Sequence, residues 1–78
     1  MKVNAKLDRR HYNHKELRAL RQARGVSLVK LSGDLQVERK RIWRAERGEG
    51  ATYDFLCRLA QYYDRPVTYF LYQYPAVA

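Results

Sequence analysis

Apolar residues first recur at helical spacing from position 17, where Leu17, Leu20 and Ala23 stand three apart. Asn13 followed by Glu16 resembles a capping box, and Gly25 is placed as a stop, so the pattern predicts a helix from about His14 to Arg24. Ser27 suits the N-cap of a second short helix with Leu28, Leu31 and Leu35 facing inward, and a turn falls at Gln36-Val37. A third helix is expected from about Glu38 to Arg47, with few apolar members (Ile42, Trp43, Ala45); Gly48 ends it, and Glu49-Gly50-Ala51 reads as a loop. Thr52 caps a fourth helix reaching about Tyr63, with Asp54 in the turn where the helix dipole favours an anion. Its inward positions are Phe55 or Leu56, Leu59, Ala60 and Tyr63. Asp64-Arg65 breaks the pattern, and Pro66 suits the first turn of a fifth helix ending at Leu71 or Tyr72. The pattern therefore predicts an all-α fold, a compact five-helix bundle whose core is completed by Tyr63, Val67 and Phe70.

Residues 1–12 show no such period and are polar and basic, so they read as a mobile N-terminal arm. That leaves residues 13–74 as the folded domain and 75–78 as a tail. At 78 residues there is room for one small domain. No stretch approaches the roughly 18 unbroken apolar residues of a membrane span, and no signal-peptide core follows the start. A cytoplasmic location is expected. The single cysteine, Cys57, excludes an intramolecular disulfide and a zinc site built mainly of thiolates. It reads as a small buried hydrophobe on the fourth helix, with no base placed to make it a nucleophile. His11 and His14 lack the carboxylate or cysteine cluster that would complete a metal site. With no phosphate-cradling glycine loop and no paired carboxylates either, neither an enzyme nor a cofactor is expected.

Charge changes the picture most. Sixteen Lys and Arg against eight Asp and Glu give a formal net charge of +8. The excess lies in front: residues 1–26 hold eight basic and two acidic groups, residues 38–48 hold five and two, and residues 49–78 come to −1. On the third helix Arg39, Lys40, Arg41 and Arg44 repel one another by a few tenths of a kcal/mol per close pair, at the level of about 0.2–0.5. A duplex displaying phosphates and guanine edges would offset that cost, since Arg and Lys pair with guanine O6 and N7. Two short helices joined by a tight turn have the shape that lays a helix in a major groove. Lys2, Lys6, Arg9 and Arg10 form either a solubilising tail or an arm that follows phosphates or the minor groove.

The run Arg21-x-x-x-Gly25-x-Ser27-x-x-x-Leu31-Ser32-x-x-Leu35-x-Val37-x-x-x-x-Ile42-x-x-x-Glu46-Arg47-Gly48 resembles the lambda-repressor-like, Cro-type helix-turn-helix family, also called the xenobiotic-response-element family. Leu56-x-x-Leu59-Ala60 and Pro66-Val67-x-Tyr69-Phe70 are similar to that family's fourth and fifth helices, and the likeness covers about residues 15–72. The resemblance implies that the third helix is the recognition helix. Arg39, Lys40 and Arg44 would face base edges, Arg41 would reach the backbone, and Ser27 and Leu28 would approach phosphate. Beside the resemblance, Arg47 is a further candidate for backbone contact, and Trp43 reads as a backbone contact, a core plug or a stacking residue. It also implies an ion pair between Arg21 and Glu46. The chain departs from the family at Leu28, where Gln is frequent, at Ser32 for a small Ala, at Gln36 for Gly, and at Glu38 for a Ser or Thr cap.

Six of the seven tyrosines fall between Tyr53 and Tyr74. Tyr62, Tyr69, Tyr72 and Tyr74 are expected partly outside the core, where a large, rather rigid side chain with a hydroxyl suits an interface. The expected function is a sequence-specific regulator of transcription, a repressor that binds a pseudo-palindromic operator in double-stranded DNA as a homodimer. It would be nucleoid-associated while bound. Two alternatives remain: a helix-turn-helix antitoxin or other interaction module that holds a small protein (a toxin or an antirepressor) on its aromatic C-terminal face, and a nonspecific nucleic-acid binder.

Overall fold

Four side-chain caps and turns set where the elements begin and end in the computed structural model, which describes residues 6–72. Asn13 accepts from the Glu16 N–H at 3.3 Å and opens α1 (His14–Ala23). Ser27 Oγ accepts from the Lys30 N–H at 3.0 Å and opens α2 (Leu28–Leu35). Thr52 Oγ1 does the same for Phe55 at 3.1 Å at the start of α4 (Tyr53–Tyr62). Each satisfies an N–H that the first turn of a helix leaves without a partner. Between α2 and α3 (Arg39–Glu46) the chain reverses at Gln36, which is left-handed at φ 58°. The Ser32 hydroxyl closes that turn by donating to the Val37 carbonyl at 2.6 Å.

The fifth helix predicted after Pro66 is instead one 3-10 turn, Val67–Tyr69. So few residues cannot recover the cost of nucleating an α-helix. The fold also holds strand: β1 (Lys6–Leu7) pairs antiparallel with β2 (Ala51–Thr52), Lys6 opposite Thr52 and Leu7 opposite Ala51. The described residues thus form a four-helix domain with a small two-stranded sheet rather than a five-helix, all-α bundle.

The mobile arm expected over residues 1–12 is, from residue 6 onward, part of the folded unit. Asp8 organises its turn by accepting at its carbonyl from the N–H groups of His11 (2.8 Å) and Tyr12 (3.2 Å). Tyr12 is fully buried, and its hydroxyl donates to the Ala45 carbonyl at 2.7 Å. The neighbouring backbone is zipped to the other end of the chain, with Asn13 N–H on Phe70 O (2.7 Å) and Tyr72 N–H on His11 O (3.0 Å). Gly48 permits this approach: a Cβ there would lie 2.8 Å from Arg9 Cβ and 2.9 Å from the His14 ring. Lys2, Tyr74 and the tail 75–78 lie outside the described residues.

The core gathers Tyr12, Leu17, Leu31, Ile42, Phe55, Leu56, Leu59, Tyr63 and Phe70, all essentially without solvent contact. Each such side chain contributes about 1.5–3 kcal/mol relative to exposure. Ala23, expected inward, is exposed; Leu28, Val67 and Cys57 are half-buried rather than buried. Among the described residues no helix is long and apolar enough to cross a membrane.

Candidate nucleic-acid interface

The inner side of α3 is fixed by several independent contacts. Ile42 and Ala45 are fully buried. At its C-terminal end, where carbonyls lack helical partners, Tyr12 bonds Ala45 O and a ring nitrogen of His14 lies 3.0 Å from Glu46 O. Glu46 itself meets Arg21 of α1 in a two-pronged pair, Nε to Oε2 at 2.7 Å and Nη2 to Oε1 at 3.1 Å. Arg21 spends a further N–H on Val26 O at 3.0 Å. The hydrogen bond to Glu46 raises the Arg21 pKa above its ordinary value, against the opposing effect of burial. The helix therefore has one orientation relative to α1.

Its outer side is the converse. Arg39, Lys40 and Arg44 are exposed, and none of their side chains makes a hydrogen bond or ion pair with another described residue. Arg41, on the flank, lays its guanidinium 4.2 Å over the Phe55 ring. Arg47 lies 4.6 Å over the Trp43 ring and also pairs with Glu49 at 2.8 Å. Trp43 is 45% exposed. Ser27 is exposed at the head of α2, its oxygen already engaged as the cap. A concavity of about 790 Å³ runs between α2 and α3, bounded by Leu28 and Ser32 on one side and Arg39, Lys40 and Trp43 on the other. Glu38 is the one acidic group on its wall, and its side chain makes no capping bond to α3.

The tyrosines assigned to an interface divide. Tyr62 donates to Asp34 Oδ2 at 2.6 Å and Tyr69 to Glu16 Oε2 at 2.9 Å, so both hydroxyls are satisfied within the chain. The Asp34 carboxylate raises the Tyr62 phenol pKa in return. Tyr69 and Tyr72 stay 45% and 46% exposed. Tyr12 and His14, which anchor α3, carry no signal in the sequence: their partners stand 33 and 32 residues away. Among the described residues no three His, Cys, Asp or Glu side chains gather closely enough to hold a metal ion.

Neither a curated protein nor a solved structure gives a significant match to the chain. Residues 15–68, more than half of its length, match the model of the helix-turn-helix domain. α2, the turn at Gln36 and the cation-bearing α3 all lie inside that span, and the match makes the chain a member of the helix-turn-helix domain family, consistent with the Cro- and lambda-repressor-like resemblance of the run from Arg21 to Gly48.

Proposed function

We propose that this protein is a sequence-specific regulator of transcription, a repressor that binds double-stranded DNA through α3. The observation that carries the reading is the contrast between the two sides of that helix. Three cations whose side chains have no hydrogen-bond or ion-pair partner among the described residues project from an element whose opposite side is locked by Ile42, Ala45 and the Arg21–Glu46 pair. Arg39, Lys40 and Arg44 read base edges; Ser27, Arg41, Trp43 and Arg47 meet the backbone. Arg41 and Arg47, already resting on rings, lose little freedom on contacting phosphate.

Two copies would present their recognition helices roughly 34 Å apart to successive major grooves of a pseudo-palindrome. The exposed Tyr69 and Tyr72 support a pairing surface on the C-terminal side. A small protein partner on that same surface, as an antitoxin would hold, is the second reading, and copurification sensitive to Tyr69→Ser or Tyr72→Ser distinguishes it.

Selecting duplexes from a random pool, then titrating the winner and a scrambled duplex, tests the main reading. Arg39→Ala or Arg44→Ala is expected to lose about 1–3 kcal/mol on the selected duplex and little on the scrambled one. Equal losses on both would reduce the protein to a nonspecific binder.

A further inference from the structure

A second basic cleft opens on the flank of α3, with no residue of α2 in its walls, and the N-terminal strand contributes Lys6 to it. Its volume is about 350 Å³, and its walls include Lys6 of β1, Thr52 of β2 and Lys40, Arg41 and Arg44 of α3. Four cations thus converge on one depression that holds a single carboxylate, Glu38. Lys6 comes there by its pairing with Thr52, which fixes its place along the edge of the sheet. Gly50 lets it lie close: a Cβ at that position would lie 3.1 Å from Lys6 Cδ, a tight contact that the lysine stem would have to ease by a few tenths of an ångström. Arg41 is held on the Phe55 ring. The Thr52 oxygen is occupied as the cap of α4, which leaves its hydroxyl hydrogen to donate.

We propose that this cleft seats a phosphate of the DNA backbone and that Lys6, delivered by β1, is one of its ligands. The inference rests on the duplex-binding reading above and adds to it a contact from outside the helix-turn-helix. An α-helix with its side chains is about 10–12 Å across, close to the roughly 12 Å width of the major groove. Whatever lies beside a helix seated in the groove must therefore face the strand that borders it. β1 stands in that place, because Lys6 shares its cleft with Lys40 and Arg44. A phosphate carries no base information, so Lys6 contributes affinity and register rather than sequence preference.

The test measures binding of the full chain, by fluorescence anisotropy over a range of salt, to its selected duplex and to a scrambled one. Lys6→Gln is expected to weaken both about threefold or more and to reduce the salt slope by about 1, the signature of one lost phosphate contact. Lys6→Arg is expected to restore both. Lys6 is exposed, so the variant's circular dichroism and urea midpoint should match those of the wild type. A Lys6→Gln chain with wild-type affinity and slope overturns the inference and leaves the proposed function standing. So does a loss confined to the selected duplex. A wild-type chain that binds no duplex at all overturns both.

Discussion

Arg21 and Glu46, 25 residues apart in the chain, meet through two hydrogen bonds of 2.7 and 3.1 Å with side chains only 12% and 6% exposed. The pair ties α1 to the last turn of α3, where the helix dipole would otherwise disfavour a carboxylate. Removing one partner strands a desolvated charge. Arg21→Met is expected to cost about 3 kcal/mol in urea unfolding. The double change Arg21→Met with Glu46→Leu should recover most of that loss, because replacing a buried ion pair by apolar groups is often neutral. If the double variant still lost specific duplex binding, the pair would be shown to orient α3 rather than to hold the domain together.

Two buried tyrosines should respond in opposite senses to the same deletion of an oxygen. Tyr12 gives its hydroxyl to Ala45 O at 2.7 Å, a carbonyl that also accepts from the Gly48 N–H at 3.1 Å, so Tyr12→Phe removes one of its two donors and is expected to destabilise by about 1 kcal/mol. The Tyr63 hydroxyl is buried without a partner among the described residues. Tyr63→Phe should therefore stabilise, by about 1 kcal/mol. Urea midpoints of the two variants decide the matter, and a shared sign would refute it.

The same two phenols make the fold sensitive to alkali. Burial pushes Tyr12 from 10.0 up to about 12, and burial with the nearby Glu46 carboxylate pushes Tyr63 up to about 12 as well. A raised pKa in the folded state means that folding favours the neutral phenol. Its contribution is complete below pH 10, the unfolded value, and is lost as pH climbs toward about 12. Unfolding followed against pH should show stability falling across that window, with a shallower fall in Tyr63→Phe.

Gln36 holds the tight turn between α2 and α3 at φ 58°, a conformation that costs a residue with a Cβ about 1–2 kcal/mol. Glycine removes that strain but gives up about 0.5–1 kcal/mol of chain entropy. The net gain expected for Gln36→Gly is about 0.5–1 kcal/mol, seen as a higher urea midpoint with an unchanged slope.

What the sequence made legible was local. Asn13, Ser27 and Thr52 each cap within three residues of themselves, and the left-handed turn at Gln36 lies where the resemblance required one. β1 was not legible, because two residues carry no period, and Tyr12 sits alone among polar neighbours, with its bonding partner 33 positions on. The segment after Pro66 offered a helical start but too few residues to continue. At the site, the resemblance singled out Arg39, Lys40 and Arg44, and all three side chains are exposed on α3. The flank they share with Lys6 depends on strand pairing across the fold, which no local pattern encodes.

Glu38 joins the stability of α3 to its binding. It occupies the N-cap in extended geometry, φ −68° and ψ 142°, yet makes no side-chain bond to the helix it precedes. It also puts a carboxylate on the walls of both basic depressions beside α3. Serine at this position would supply the missing acceptor for the first turn, a gain of about 0.5–1 kcal/mol in unfolding free energy. It would also remove an anion from the surface proposed to face phosphates, so Glu38→Ser should bind both selected and scrambled duplexes more tightly, most visibly at low salt. A variant that gains stability but loses affinity for the selected duplex alone would assign Glu38 a different part, as acceptor for a cytosine amino group. Paired urea and anisotropy titrations on this one variant separate the two roles, because the cap acts on the free protein and the carboxylate on the complex.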